Sequence, residues 1–499
     1  MAAIRIGREE MGAFARASGD YNPVHLPGPI PSESPLEAPV VYGVLASLAA
    51  VGKMAANSDR GLRALEATFV RPLRMGAEYD LEARWAPPRA TARVCDGDLP
   101  ALLLDARFSA GGGRLAVVAT DRLEAPRLCR IEELAPGASV GGSYAGDEAS
   151  LAWLRERFAL PPSAVGDDLF HALLFASYLV GMLIPGSGSL LARLRVGLDE
   201  GAPPVRASGA EPLSYRARVV DLQPRARMVT VAGELRHPGG AVAKLTCEAY
   251  LPPPPAPLDV RLLEKGLGGR SDLLAGQAAI VVGAGRGLGA ALAHGLASQG
   301  CSVYACSRGG PERDSCPGRW RGALHHARGD ASDPDYCRHL LREVVDRQGG
   351  LDFLLCCAAP PLEGIGFGPS SAGRFNEFVK RSVELVSVPM ATTFDAIQAR
   401  GGACLVVSSE AVETTPRDWG HYVAAKGAVE ALAVWAAKRS PRARVLVARV
   451  PRLMGGPLAG EDGVAGEAAA AWLIRGLSTG SGGGARLLRW PDHPPPGAF

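Results

Sequence analysis

The sequence predicts two architectures in one chain: an α+β half, in which antiparallel strands wrap central helices, and an α/β half built on a doubly wound parallel sheet. Three observations predict this. Residues 1–250 hold two blocks of one order, an apolar helix followed by long strand-like stretches. A proline run, "LPPPPAPLD" from Leu251 to Asp259, then breaks the pattern. From about Gln277 onward, short apolar runs alternate with helical segments, which is the mark of successive βαβ units.

In the first block a short helix, "REEMGAFARAS", precedes "SGDYNPVH". An apolar helix follows, "YGVLASLAAVGKMA", and then the strands "LRALEATFVRPLR", "EYDLEARW", "ALLLDARFSA" and "RLAVVATDRL". In the second block the helix "FHALLFASYLVGMLI" precedes "SLLARLRVGL", "LSYRARVVDLQ", "RMVTVAGELRH" and "AVAKLTCEAYL". A central helix followed by long strands, seen twice, points to an internal duplication. The expected domains are residues 1–127, 128–250 and 277–499, with 251–276 as a semi-rigid proline-rich linker. In the last domain the strands are "AAIVVGAG", "CSVYACSR", "LDFLLCCAAP", "GACLVVSSE" and "ARVLVARVP", and the first helix is "GLGAALAHGLASQG".

Bulk properties exclude several classes. A chain of 499 residues is long enough for two to four domains, and 47% hydrophobic with 21% charged residues is a globular balance. A net charge of +3 is too small to argue for nucleic acid or an anionic membrane surface. The ten cysteines, Cys95, Cys129, Cys247, Cys301, Cys306, Cys316, Cys337, Cys356, Cys357 and Cys404, show no zinc-type spacing, so no metal is expected. The N-terminus has no apolar signal core and no stretch is long enough to span a bilayer, which points to a reducing cytoplasm.

"VVGAGRGLG" places Gly283, Gly287 and Gly289 at the turn from the first strand into the first helix of the last domain. Glycines there let a pyrophosphate approach the helix N-terminus. Ser307 and Arg308 follow the second strand. A basic side chain at that place suits the 2′-phosphate of NADP, and Arg286 in the glycine turn adds to the charge. "HYVAAKGAVEAL" puts Tyr422 and Lys426 on one helix face, and a nearby ammonium favours phenolate over phenol, making the tyrosine a usable proton donor. Ser409 ends a predicted strand thirteen residues earlier.

With these motifs, residues from about 275 to 499 resemble the short-chain dehydrogenase/reductase family and its Rossmann fold. The resemblance implies that Ser409 binds the substrate carbonyl oxygen, Tyr422 protonates it, and Lys426 holds the cofactor ribose and tunes Tyr422. It implies a NADPH site made of Gly283, Arg286, Gly287, Leu288, Gly289, Ser307, Arg308, Asp330, Ala358 and Lys426, with Asp330 at the adenine. Three places depart from the family pattern. Its NNAG segment is Cys356–Ala359 here, its helical Asn is replaced by Ser382, and the PG after its sixth strand is Pro451–Arg452.

"SGDYNPVHL" and the later "APVVYGVLASLAA" resemble the MaoC-like, (R)-specific enoyl-CoA hydratase family, whose fold is the hot dog. The family's His before the central helix is Tyr42 here, while Gly43 is kept. The resemblance implies that Asp20 and His25 do acid–base work on a 3-hydroxyacyl thioester, that Gly43 N–H is an oxyanion donor, and that Asn22 orients the loop or the acid. Which of Asp20 and His25 carries which proton is open. The second block offers Asp167, Asp168 and His171 without the Asn-Pro, so His171 is expected to be packed and the block non-catalytic, completing a double hot dog.

The two halves together imply a fused NADPH-dependent ketoreductase and dehydratase. It would act on acyl chains carried by acyl carrier protein or coenzyme A, in fatty-acid-like or polyketide synthesis. The alternatives are hydration followed by oxidation, as in β-oxidation, or a partly degenerate thioester-binding protein with one live site. Fold analogy suggests a homodimer.

Overall fold

Period-two alternation builds the first half of the chain. Over Arg89–Val94 of "RATARVCD" and Leu213–Val220 of "LSYRARVVDLQ", every second side chain is buried and the others face solvent. The computed structural model describes residues 2–26, 39–55, 60–109, 123–198, 212–237, 240–253, 257–309, 320–439, 442–454, 463–478 and 484–490. They divide into two units, residues 1–254 with 366–371, and residues 255–365 with 372–499.

The first unit runs β1 (Ala2–Arg5), α1 (Arg8–Ser18), α2 (Gly43–Ala55), β2 (Gly61–Phe69), β3 (Glu78–Ala86), β4 (Arg89–Asp96) and β5 (Leu99–Ser109). It then continues β6 (Ser139–Tyr144), α3 (Glu148–Arg157), α4 (Asp167–Tyr178), β7 (Leu190–Gly197), β8 (Leu213–Gln223), β9 (Met228–His237) and β10 (Gly240–Tyr250). The order βααββββ therefore occurs twice. All ten strands join one antiparallel sheet, ordered β1-β3-β4-β5-β2-β7-β10-β9-β8-β6. The list is symmetric about the β2–β7 pair: each strand of one half has its counterpart at the same distance in the other.

Helices α2 and α4 are buried on nearly every side, which is why their sequences are apolar all round rather than amphipathic. One continuous core, including Phe14, Tyr42, Leu45, Leu48, Phe170 and Phe175, serves both repeats. The expected boundary at 127/128 therefore separates two repeats of one sheet, not two bodies. Strands β1, β4 and β6 and helix α3 were not expected. The first is four residues long, β4 carries two arginines among its outward positions, and β6 holds two glycines. The expected strand "RLAVVATDRL", save Leu123, lies outside the described residues.

The second unit comprises α5 (Val260–Leu267), β11 (Ala278–Val282), α6 (Gly287–Ser298), β12 (Ser302–Ser307), β13 (Ala323–Arg328), α7 (Pro334–Gln348), β14 (Phe353–Cys356) and α8 (Ala372–Arg400). It continues β15 (Ala403–Ser409), α9 (Ala411–Thr414), α10 (Gly420–Ala437), β16 (Arg444–Val450), α11 (Gly466–Ser478) and β17 (Gly484–Arg489). Its seven strands are parallel, in the order β13-β12-β11-β14-β15-β16-β17. The central strands β11, β14 and β15 are buried at every position, as a sheet covered on both faces requires. The strand order reverses between β11 and β14, and ligands of such sheets bind beyond the strand ends at that point. Part of the expected linker is a helix: Asp259 caps α5 through the N–H groups of Arg261 and Leu262, and Leu263 is fully buried in this unit's core.

Candidate functional sites

In the second unit the loop after β11 forms a tight glycine cradle. Gly283 has φ of +86°, and a Cβ there would stand 2.7 Å from the backbone of Ala358. At Gly289 a Cβ would stand 2.1 Å from the Gly283 carbonyl oxygen. The two glycines thus let backbone pack on backbone and hold the first turn of α6 close to the end of β11, while nothing stands within 4 Å of a Cβ at Gly287, so these residues fit a dinucleotide pyrophosphate. The Cys356–Ala359 departure leaves this backbone frame in place, with Cys357 N–H donating to Val282 O at 2.9 Å. Burial pushes the Cys357 thiol up to about 12, which keeps it in the protonated, poorly nucleophilic form near neutral pH. Nine of the ten cysteines are described, all as free thiols, and Cys316 lies outside the described residues.

Arg286 and Arg308 are exposed beside this cradle, and Ser307 closes β12. The sequence did not single out Arg328, which ends β13 opposite Ser307 and donates from Nε to Arg308 O at 3.2 Å. Nor did it single out Arg381, which forms an ion pair with Asp330 and a hydrogen bond to Ser332 Oγ. Burial, the largest single effect, pushes the Asp330 carboxyl up, but the hydrogen bonds from Ser332 and Arg381 and the Arg381 charge together outweigh it and hold the group below the ordinary carboxylate range. The residue expected at the adenine is therefore fixed as an anion.

Ser409, Tyr422 and Lys426 are all buried. Ser409 is the last residue of β15, and its Oγ accepts from Ala411 N–H at 3.1 Å. Tyr422 and Lys426 sit one turn apart on α10. Lys426 Nζ donates to Val407 O of β15 at 2.8 Å and lies 5.6 Å from the centre of the Tyr422 ring. One lysine thus ties the helix of the tyrosine to the strand of the serine. A turn further on, Glu430 accepts from Ser408 Oγ at 2.6 Å and pairs bidentately with Arg449 of β16. Phe378 and Trp419 flank the Tyr422 ring at 6.5 and 6.2 Å. Ser382, in place of the family's helical Asn, donates to Phe378 O of its own helix at 2.8 Å.

In the first unit the acid follows a helix end. Gly19 caps α1 in the left-handed conformation, φ +71°, and the chain turns so that Asp20 points inward. Asp20 is 1% exposed. Its Oδ1 accepts from Asn22 N–H at 3.0 Å and its Oδ2 from the Ser177 hydroxyl at 2.7 Å. Burial pushes its carboxyl up to about 7, against the two hydrogen bonds that pull it down. His25 is partly buried, with Nδ1 2.9 Å from Val40 O. A carbonyl only accepts, so the neutral ring carries its proton on Nδ1 and its lone pair on Nε2. Burial pushes this imidazole down to about 4, opposed by the bond to Val40.

Tyr42 links the two. Its hydroxyl donates to the backbone oxygen of Asp20 at 2.7 Å, and its ring lies 4.0 Å from that of His25. It is completely buried, and burial holds its phenol well above the ordinary range. Gly43 begins α2 against Phe69, whose ring would stand 2.6 Å from an added Cβ. Asn22 reaches into the second repeat: its Nδ2 donates to Ser189 O at 3.0 Å and its Oδ1 accepts from Gly188 N–H at 3.0 Å.

The second repeat has no matching loop. The link between α3 and α4 is residues 158–166, against 19–42 between α1 and α2. Its acids serve the helix instead. Asp167 pairs with Arg155 at 2.6 Å, and Asp168 accepts from Leu169 N–H at the first turn of α4. His171 is buried, with Nδ1 2.8 Å from Asp167 O and Nε2 3.4 Å from Glu148. Among the described residues no cluster of His, Cys, Asp and Glu could hold a metal ion, and no helix is long and apolar enough to cross a membrane.

Residues 277–451 match the short chain dehydrogenase family model. Two curated relatives are similar in sequence. The tropinone reductase homolog of Datura stramonium is 31% identical over 183 residues, covering 33% of this chain and 63% of that protein. The human mitochondrial dehydrogenase/reductase SDR family member 2 is 29% identical over 184 residues, covering 35% of this chain and 64% of that protein. The chain thus spans less than two thirds of the length of these relatives. Among solved structures, the alcohol dehydrogenase of the archaeon Thermococcus sibiricus, complexed with 5-hydroxy-NADP, aligns with a TM-score of 0.38 at 20% identity, over 44% of this chain and 99% of that one. Carveol dehydrogenase from Mycobacterium avium, in complex with NAD, aligns with a TM-score of 0.33 at 21% identity, over 36% of this chain and 72% of that one. The C-terminal half of the chain carries a domain of the short-chain dehydrogenase type.

Proposed function

We propose that the chain reduces a 3-oxoacyl thioester with NADPH and then dehydrates the 3-hydroxyacyl product to a 2-enoyl thioester. The observation that carries the second step is the pairing in one loop of a carboxyl poised near neutrality with an imidazole held neutral, its Nε2 lone pair free of the bond to Val40. The first step rests on the Ser409–Tyr422–Lys426 arrangement and the glycine cradle. The product of one site is the substrate of the other.

NADPH, when bound, supplies hydride to the 3-carbonyl carbon. Ser409 Oγ donates a hydrogen bond to the carbonyl oxygen, and Tyr422 gives that oxygen its phenolic proton. The Lys426 ammonium stabilises the phenolate left behind. Arg308 and Arg286 neutralise a 2′-phosphate, which favours NADPH and the reductive direction.

For dehydration, His25 Nε2 takes a proton from C2, and the electron pair forms the C2–C3 double bond. Asp20 gives its proton to the C3 hydroxyl, which leaves as water. The N–H of Gly43, at the first turn of α2, stabilises charge on the thioester oxygen. His25 then returns a proton and Asp20 regains one through solvent. The hot-dog reading of the first unit is supported by two buried central helices on a ten-stranded antiparallel sheet with a repeated βααββββ order. The carrier is proposed to be acyl carrier protein or coenzyme A, and the working form a cytoplasmic homodimer.

Mass spectrometry of 3-oxoacyl thioesters on both carriers, incubated with the protein and NADPH, tests this. The expected series is a product heavier by two hydrogens, followed by one lighter by a water. A series that stops at the hydroxy product removes the dehydratase. NADPH left unconsumed on both carriers removes the reductase, and a strong preference for NAD favours the oxidative direction.

A further inference from the structure

We infer that Ser177 of the second repeat is a positioning residue for Asp20 of the first, so that the two repeats build one dehydration site between them. This rests on the dehydratase reading above. Ser177 lies on α4, and its hydroxyl meets Asp20 Oδ2 at 2.7 Å. One turn on, Gly181 sits directly under the same carboxyl: a Cβ there would stand 2.3 Å from Oδ1. The two positions are four apart and share a helix face. The stretch that follows also meets the acid's loop: Tyr21 N–H donates to Met182 Sδ at 3.1 Å, Gly188 N–H donates to Asn22 Oδ1 at 3.0 Å, and Asn22 Nδ2 donates to Ser189 O at 3.0 Å.

Helix α4 passes at Leu179–Leu183 into a π turn, closed by Ile184 N–H donating to Leu179 O at 2.8 Å. Such turns recur at functional sites. Here the turn holds Gly181, whose missing side chain makes room for the acid.

A hydroxyl suits this task because it both donates and accepts. It donates to the carboxylate and accepts from the carboxylic acid, so Asp20 keeps one orientation before and after it gives up its proton. An ammonium or backbone N–H can only donate, and at Oδ2 it could not accept the O–H of the protonated acid. Among the described residues, the titratable groups near Asp20 are Tyr21 and Tyr42, with His25 behind the Tyr42 ring, while α4 and its π turn present Ser177 and Gly181, which do not ionise in the working range. The second repeat thus lacks a loop that carries an acid and base, but its helix holds the acid of the first.

The test uses the full chain and 3-hydroxybutyryl-coenzyme A as probe, with thermal melting and circular dichroism of the full chain as the control for folding and NADPH-dependent reduction of acetoacetyl-coenzyme A as the activity that should not change. Ser177→Ala should lower kcat for dehydration about thirtyfold while KM stays within about twofold, because the acid is misplaced and not the acyl chain. Loss of a hydrogen bond to the carboxylate should also move the alkaline limb of the pH profile up by about one pH unit. Ser177→Thr should restore both, and Gly181→Ala should lose about a hundredfold with reduction intact. If the alanine variant fails to fold, Ser177→Cys, of similar shape but a weak donor, should give the same pair of changes. Wild-type dehydration with an alanine or cysteine variant unchanged in kcat and pH profile overturns the role of Ser177 alone. A wild-type protein inert toward the probe overturns the dehydratase reading as well.

Discussion

The two candidate sites differ in how they are built. In the second unit the candidate reacting groups are placed by local geometry: Tyr422 and Lys426 by one helical turn, Ser409 by the end of a strand. In the first unit the acid is placed by contacts far away in sequence, Ser177 at a separation of 157 residues and Ser189 at 167 from Asn22. The difference bears on robustness. A site set by one helix and one strand tolerates changed neighbours, and Cys356–Ala359 and Ser382 leave its hydrogen bonds in place. A site set across two repeats depends on positions that share no local pattern with it.

The largest expected effect comes from the local site. Tyr422→Phe removes the proton donor while keeping the ring between Phe378 and Trp419, so NADPH-dependent reduction should fall by about a thousandfold or more with little change in melting temperature. Dehydration of a supplied 3-hydroxyacyl thioester should be untouched. If both activities fall together, the two sites are not separable and the comparison breaks.

Asp20→Asn probes the other side and should lower dehydration by about a hundredfold to a thousandfold, leaving reduction intact. It also has a stability signature. The folded-state pKa of Asp20 is raised to about 7, so between the ordinary carboxylate range and pH 7 the folded chain holds a proton that the unfolded chain has released. Stability from this group therefore falls as pH rises through that window, and above it an ionised carboxylate is buried. Asn removes that penalty, and at pH 8 the variant should be more stable than wild type by on the order of a few kcal/mol, in urea unfolding of the full chain. His25 has the opposite sign: its folded pKa is lowered to about 4, so its contribution grows as pH rises from 4 toward the ordinary histidine range. With His25 needed neutral and Asp20 protonated, dehydration by wild type should follow a bell with limbs near 4 and near 7. A flat profile from pH 5 to 9 would falsify the assignment of acid and base.

Much of the second site was legible because short continuous apolar runs and helical spacing locate a glycine turn, a strand-ending serine and a tyrosine–lysine pair without knowledge of the fold. Arg328 and Arg381 were not, since each acts through a neighbour brought close by strand pairing or by helix packing. In the first unit "SGDYNPVH" was legible as a unit, but its chemistry was not: burial sets the proton on Asp20, and burial comes from α4. The repeat order was visible as two helix-then-strands blocks. The shared sheet was not, because the β2–β7 pairing that joins the halves has no local signal.

Arg308 gives a more modest test. Arg308→Ala should raise KM for NADPH about tenfold and leave KM for NADH nearly unchanged, since only the 2′-phosphate distinguishes the two. Arg328→Ala, which removes the bond to the Arg308 carbonyl but not the Arg308 charge, should have a smaller effect in the same direction. Equal losses for both cofactors would instead place these arginines in general binding.

The smallest effect is the most informative about the contrast between the sites. On the dehydratase reading proposed above, Tyr42 stands where such enzymes have histidine, and its hydroxyl donates to the Asp20 backbone oxygen rather than into the site. Tyr42→Phe keeps the ring against Phe14 and His25 but leaves a buried carbonyl without that donor, which should cost about 1–2 kcal/mol of stability. Dehydration should fall only severalfold, because the Ser177 and Asn22 bonds still orient the carboxyl. Tyr42→His shortens the side chain and removes its reach to the Asp20 oxygen, while placing a second titratable ring beside His25. If Tyr42 frames the site, the histidine variant should be no more active than the phenylalanine one. Higher activity in the histidine variant would mean that the tyrosine attenuates a site its fold still supports, and that the fragility of the distant-contact design lies at this one side chain.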